Sequence, residues 1–285
     1  MKGKSLKIIC TALLVSIVGL SFYGCGNSSS EENSSLENSK NKETISISGS
    51  TSVGPLMGKL AESYENKNGN ISIEINEVGS SAGIKDAIND VSDIGMSSRE
   101  LKSEEATMVK ATTIAYDGIA IITNKNNPIK NISIDEIKDI YTGKITNWNE
   151  IEDGEDAPIV VVSREEGSGT RDAFQEIVGY KSEELISSAM ITNATGAVKQ
   201  TIIGNKNAVG FVSFEYIDDE VNVLKVENVE PKAELVQSGE YKISRPFLVV
   251  NKEGSLSEEG QKFIDFILSE EGQTMVKENK AIPVK

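Results

Sequence analysis

One unit recurs along this chain, and it restricts the fold more than any other feature: an apolar strand, a Gly/Ser-rich loop, then an amphipathic helix. Its fullest form lies between residues 159 and 178. An apolar run at 159–162 leads into Ser163-Arg164-Glu165-Glu166-Gly167-Ser168-Gly169-Thr170, and Ala173, Phe174, Ile177 and Val178 follow at helical spacing. The same order appears at Gly49-Ser50-Thr51-Ser52, after the alternating Ile45 and Ile47 and before Val53, Leu56, Met57, Leu60, Ala61 and Tyr64. It appears again at Gly79-Ser80-Ser81, between Ile71, Ile73, Ile75 and the helical Ile84, Ala87, Ile88 and Val91. Thr195-Gly196 opens a further small helix with Val198 and Ile202. Alternating period-two and period-3.6 segments predict an α/β architecture with mostly parallel sheets. Ligands of such sheets bind beyond the carboxyl ends of the strands, where the three Gly/Ser loops fall. Backbone N–H groups at helix starts, several hydroxyls and one guanidinium make up the donor inventory of an anion site.

The remaining elements read more simply. Residues 93–98 form a short strand, and the acids at 103–105 suit a helix start. Residues 114–123 are apolar and β-branched, with Asp117-Gly118 inside the run, and 124–128 is a turn. Ile134, Ile137 and Ile140 predict a short helix, and Tyr141-Thr142-Gly143-Lys144 a loop before Trp148. Strands are expected at 209–214 and at 247–250, the latter just after Arg245-Pro246. A single C-terminal helix is expected around Phe263, Ile264, Phe266, Ile267 and Leu268.

Bulk properties exclude several function classes. The 285 residues carry a net charge of −15 and contain no histidine. Without the first 24 residues the balance is 26 basic against 44 acidic, a surface that disfavours nucleic acid. Small anions are also repelled at long range, but this field fades within about 8 Å at physiological salt, so an anion site must work through local donors. Ser-His-Asp triads and His-ligated metals are excluded. Cys10 and Cys25 are the only cysteines, so the body holds neither a disulfide framework nor a Cys-rich zinc site. No cofactor or metal is expected.

Lys2, Lys4 and Lys7 precede an apolar run at 8–20, with Gly24-Cys25 close behind. That order reads as an export signal over residues 1–24, since a spanning helix needs about 20 apolar residues. Phe22-Tyr23-Gly24-Cys25 resembles a bacterial lipobox, although Phe22 and Tyr23 depart from its usual first two residues. Lipidation of Cys25 would anchor the exported chain to the outer face of the cell membrane; an unlipidated signal peptide is the alternative. Residues 25–43 contain Asn, Ser, Glu and Lys with little apolar content and read as a disordered tether, with an r.m.s. reach of roughly 20–25 Å.

Taken singly, each loop has a plainer explanation. Arg164 could be a surface residue paired with Glu166. The hydroxyls of 49–52 and 79–81 could be ordinary helix caps, and Ser97-x-x-Glu100 could be a capping box. The anion reading rests on the set. A phosphate loop of the nucleotide-hydrolysing kind is not present: Gly54-Pro55-Leu56-Met57-Gly58-Lys59-Leu60 is one spacer short and lacks the hydroxyl after lysine.

The chain resembles the substrate-binding lipoproteins of bacterial phosphate ABC importers. The resemblance runs from Ile45 to Lys285 and is carried by Arg164-x-x-Gly-Ser-Gly-Thr170, Gly49-Ser-Thr-Ser-Val-Gly-Pro55, Gly79-Ser-Ser-Ala-Gly83 followed by Asp93-Ile-Gly, Asp117-Gly118, Tyr141-Thr-Gly-Lys-Ile145 with Trp148, and Val209-Gly-Phe211. It implies a two-lobed α/β fold of the periplasmic-binding-protein type II, with the ligand in the cleft between lobes. Lobe I would take residues 44–118 and 246–285, and lobe II residues 119–245, with crossings at Asp117-Gly118 and Arg245-Pro246. It implies that Thr51, Ser52 and Ser80 bind inorganic phosphate from one lobe and Arg164, Ser168, Gly169 and Thr170 from the other, with Glu166 holding the arginine. Ser98 joins this set at a position where many relatives carry Asp. A carboxylate there can accept the phosphate proton and so reject sulfate; a serine filters less sharply. Arg99 is expected to add a second charge, and Asp117 or Glu100 to restore an acceptor. The implied protein is a monomeric carrier, not an enzyme, that delivers phosphate to a permease with ATP-binding subunits. Open alternatives are a binder of sulfate or molybdate, a phosphate-ester hydrolase using Ser168 or Thr170, and an anchored sensor or adhesin.

Overall fold

The computed structural model describes residues 42–284. The export signal, Cys25 and nearly all of the tether lie outside the described residues. Glu43, expected in the tether, instead starts the first strand: it pairs with Ile71, and its N–H donates to Asn70 O at 2.9 Å.

The strands are β1 (Glu43–Gly49), β2 (Ile71–Glu77), β3 (Ile94–Ser97), β4 (Lys110–Asn124), β5 (Asn131–Ile132), β6 (Val160–Arg164), β7 (Met190–Thr192), β8 (Ala208–Ser213), β9 (Val221–Val223), β10 (Lys225–Val226) and β11 (Ser244–Asn251). The helices are α1 (Gly54–Lys67), α2 (Ser80–Ile88), α3 (Ile134–Tyr141), α4 (Gly169–Val178), α5 (Thr195–Gly204), α6 (Ala233–Gln237), α7 (Glu258–Ile267) and α8 (Glu270–Glu278). None of the described helices is long and apolar enough to cross a membrane.

Nine strands form one sheet in the order β2-β1-β3-β11-β4-β8-β6-β7, with β9 also on β4. The two ends are parallel, as expected: β2-β1-β3 on one side and β8-β6-β7 on the other. The centre is not, because β3-β11, β11-β4 and β4-β8 are all antiparallel. The reason is chain routing. β4 carries the chain out of the first parallel group and β11 brings it back, so the two run side by side in opposite senses. β4 spends Lys110 to Gly118 on β11 and Ile119 to Thr123 on β8. The partner change falls at Gly118, where an added Cβ would lie 2.1 Å from Phe214 Cζ. Only glycine lets the Phe214 ring pack that close to the strand.

Apolar burial divides at the same place. One large cluster is drawn from residues 119–243, including Tyr141, Trp148, Phe174 and Phe211. Another is drawn from residues 45–115 and 247–281, including Leu56, Tyr64, Phe247 and Phe263. Between them the two crossing strands hold a buried ion pair. Arg245 Nη2 and Nε donate to Asp117 Oδ2 at 3.0 and 3.2 Å, and Ser213 Oγ and Phe214 N donate to Oδ1 at 2.9 and 3.3 Å. Burial pushes the Asp117 carboxyl up and the Arg245 guanidinium down, each partly offset by its partner.

Two local expectations change. The acidic segment at 103–105 yields only one 3-10 turn, Glu105–Thr107. The Glu105 carboxylate is taken by Arg99 and by Lys102 N–H, and the chain enters β4 before a longer helix can form. The C-terminal helix is two, because Ser269 Oγ caps a new start by accepting from Gly272 N at 3.2 Å.

Removing one member of a buried pair strands the other's charge. Asp117→Ala is expected to lower stability by about 3–5 kcal/mol, read as a drop in the urea midpoint.

Candidate functional site

The three Gly/Ser loops and the start of α5 meet at the carboxyl ends of the parallel strands. Ser52, Ser80, Ser98, Arg164, Ser168, Thr170 and Thr195 are each at most 1% exposed, and Thr51 is buried with them. Ser52 Oγ lies 2.7 Å from Thr170 Oγ1 and 2.9 Å from Thr195 Oγ1, and Thr51 Oγ1 lies 3.1 Å from Thr195 Oγ1. Ser98 Oγ accepts from Ser50 Oγ at 2.9 Å and lies 3.2 Å from Ser80 Oγ, which accepts from Ser98 N–H at 3.1 Å. Gly169 faces this second group. An added Cβ there would fall 2.3 Å from Ser80 Oγ and 2.9 Å from Ser98 Oγ, so a side chain would push the two loops apart.

The plain capping explanation fails for the first two loops. α1 has Val53 and α2 has Gly79 at the cap position, neither with a side-chain cap bond. The hydroxyls of Thr51 and Ser52 lie against Thr170 and Thr195 instead, and that of Ser80 against Ser98. Ser97 makes no capping box: its Oγ donates to Arg99 O and accepts from Arg99 N–H, and no helix begins there. Capping does hold for Ser168, whose Oγ accepts from Arg171 N–H at 3.3 Å as the cap of α4.

Arg164 ends β6 with its guanidinium wholly inside. Its Nε and Nη2 donate to Glu165 Oε2 and Oε1, both at 2.7 Å, and Nη1 donates to Thr195 Oγ1 at 2.9 Å. This corrects the role expected of Glu166, which is exposed. Glu165 N–H still pairs with Thr192 O beside the strand, which keeps its carboxylate alongside the arginine. Gly167, at φ +88°, turns the chain just beyond and leaves Glu166 in solvent.

Arg99 and Asp117 are buried near the site but already engaged. Arg99 donates from both Nη atoms to Glu105 at 2.8 Å and from Nη2 to Ser81 Oγ at 3.1 Å, and its Nε lies 3.1 Å from Asp172 Oδ2 on α4. Two carboxylates thus offset its charge. Asp117 is held by Arg245 and Ser213, and Glu100 is exposed. None of the three brings a spare carboxylate or an unpaired charge to the hydroxyls.

Sequence reasoning missed Thr195, Tyr216 and Glu215. Tyr216 OH donates to Thr51 O at 2.9 Å and steadies that loop. Glu215 is beside it, and its Oε1 lies 3.7 Å from Lys59 Nζ at the second turn of α1. Burial pushes its carboxyl up to about 7, eased by Lys59 and reinforced by the charge of Asp117. The Thr195-Gly196 helix start was the signal for Thr195; nothing local marks Glu215.

In sum the cleft offers neutral hydroxyl donors around one fixed guanidinium whose charge is balanced from behind by Glu165. That arrangement suits a small oxyanion, which can be gripped by charge-assisted bonds without a large net field.

Residues 34–271 match the model of the PBP superfamily domain. The phosphate-binding protein PstS of Bacillus subtilis is 31% identical over 291 aligned residues, covering 99% of this chain and 95% of that protein. A crystal structure from Clostridium perfringens, assigned as a phosphate ABC transporter substrate-binding protein and solved with bound phosphate, is 58% identical with a TM-score of 0.84, covering 85% of this chain and all of that one. An ABC-type phosphate transport receptor from Vibrio cholerae is 35% identical with a TM-score of 0.71, over 85% of this chain and all of that one.

Two outcomes follow from the carboxylates. Glu165→Gln is expected to cost about 1–3 kcal/mol of stability and Glu166→Gln less than about 0.5 kcal/mol, compared by denaturant unfolding. For Glu215, whose usual value is 4.5, the folded state holds its proton longer than the unfolded state. Its contribution to stability therefore falls as pH rises from about 4.5 to about 7. Subtracting the pH profile of Glu215→Gln from that of the wild type should show this slope.

Proposed function

The chain belongs to the PBP superfamily and, within it, to the PstS phosphate-binding proteins, and from that membership we propose how it captures inorganic phosphate outside the cytoplasm as the substrate-binding component of an ABC importer. The observation that carries the reading is the Arg164 guanidinium, buried and held edge-on by Glu165 among hydroxyls from both halves of the fold. A guanidinium can give an oxyanion two parallel N–H···O bonds. Three of its five donors are taken by Glu165 and Thr195, so two remain for a ligand.

In this reading lobe I comprises residues 44–118 and 246–285 and lobe II residues 119–245. The split of apolar clusters on either side of the Asp117 and Arg245 crossings supports it. Thr51, Ser52, Ser80 and Ser98 grip the anion from lobe I. Arg164, Ser168, Gly169 and Thr170 grip it from lobe II, with backbone N–H groups at the start of α4 adding to the hydroxyls. Hinge motion at the crossings opens and closes the cleft. The protein is a carrier rather than a catalyst: Ser168 serves as a helix cap and Thr170 bonds Ser52, and among the described residues neither hydroxyl is hydrogen-bonded to a base that could activate it. Lipid at Cys25 holds it at the outer face of the cell membrane, and it works as a monomer that docks on permease subunits coupled to an ATPase.

Ser98 bears on selectivity. Among the described residues no carboxylate is hydrogen-bonded to Ser50, Ser80 or Ser98, so a hydroxyl or a backbone carbonyl accepts the proton of hydrogen phosphate. Sulfate is then rejected less sharply than by a carboxylate.

Calorimetric titration of the body with phosphate, sulfate and molybdate tests the reading. Phosphate is expected to bind most tightly, sulfate measurably but more weakly, and Arg164→Ala to lose at least about a hundredfold in phosphate affinity. Absence of phosphate heat, or sulfate binding as tight as phosphate, would overturn it.

A further inference from the structure

Thr195 lies outside the three Gly/Ser loops, yet its hydroxyl touches groups from both halves of the fold. It is the first residue of α5 and is wholly buried. Its Oγ1 accepts from Arg164 Nη1 at 2.9 Å and lies 2.9 Å from Ser52 Oγ and 3.1 Å from Thr51 Oγ1. Its backbone N–H donates to Thr51 Oγ1 at 3.2 Å, and Ala194 before it supplies no side-chain cap. A guanidinium can only donate, and a hydroxyl has a single proton. Thr195 Oγ1 must therefore accept from Arg164, and its own proton must go to Ser52 or Thr51. Thr51 Oγ1 already accepts from Thr195 N–H, which favours a proton running from Thr195 to Ser52. Thr170, 2.7 Å beyond Ser52, continues the chain.

The same contact fixes the arginine. Glu165 holds the Nε/Nη2 edge of the guanidinium plane. Thr195 holds Nη1, the corner that Glu165 does not reach. With both held, the plane is fixed, and one N–H on Nη1 and one on Nη2 remain.

Resting on the phosphate-binding reading above, we propose that Thr195 is a positioning residue of the anion clamp: it locks the Arg164 plane and sets the direction of the hydroxyl protons across the cleft. Closure of the lobes then assembles a donor set of defined polarity, rather than a ring of hydroxyls free to rotate.

The test is calorimetry with inorganic phosphate on the wild type, Thr195→Val, Thr195→Ser, Arg164→Lys and the double variant Arg164→Lys/Thr195→Val. Valine keeps the shape and removes the hydroxyl, and phosphate Kd is expected to rise about tenfold to a hundredfold; serine keeps the hydroxyl and should stay within about threefold. The double variant should lose less than the product of the single losses, because both act through one contact. Should Thr195→Val fail to fold, Thr195→Ala makes the same comparison. Hydroxyl-free variants that bind like the wild type, a serine variant as weak as valine, or strictly multiplicative losses would each overturn the proposal. A wild type that binds phosphate while these results appear overturns this inference alone; a wild type that binds none overturns the phosphate reading and this inference with it.

Discussion

The structure depends on how the chain crosses between its two apolar clusters. β4 and β11 run side by side as the crossing strands, and the pair Arg245–Asp117 sits where β4 changes partners. Both side chains are 1% exposed, so neither charge is solvated by bulk water. Such a pair adds little net stability over an apolar pair, but removing one partner is costly. It therefore fixes register at the crossing: Arg245 lies opposite Asp117, and Ser244 opposite Gly118. Ser213 Oγ and Phe214 N–H also bind Asp117, which ties the end of β8, and Glu215 and Tyr216 after it, to the same point. The cleft groups reach their positions from this frame.

The same logic organises the cleft. Three buried guanidiniums around it each have a carboxylate: Arg164 has Glu165, Arg99 has Glu105 and Asp172, Arg245 has Asp117, while Arg171 donates from Nη1 to Arg164 O. Charge is thus balanced locally, and what faces the cleft is a set of neutral hydroxyls beside one oriented guanidinium. For a chain of net charge −15 this matters, because long-range attraction cannot gather an anion. Capture has to come from short-range donors that are already aimed.

Much of this was legible in the sequence. The alternation of Ile45 and Ile47, of Ile71, Ile73 and Ile75, and the helical spacing of Val53 to Tyr64 correspond to β1, β2 and α1. The three Gly/Ser loops do meet, and Arg164 is buried among them. Other features were not legible. The antiparallel centre of the sheet follows from the return path of the chain, which no local period records. The break between α7 and α8 depends on Ser269 acting as a cap within an otherwise helical pattern.

Spacing along the chain was enough to set the strand–loop–helix units, the hydroxyl-rich loops at their junctions, and Arg164 among them. The partners were settled by the folded arrangement. Glu165 rather than Glu166 holds Arg164, because a turn at Gly167 sends one carboxylate inward and leaves the other in water. Asp117 is bound by Arg245, 128 residues away, and Thr195 joins Arg164 to Thr51 and Ser52 across the cleft. Which charge meets which hydroxyl is a matter of distance after folding, and spacing along the chain does not encode it.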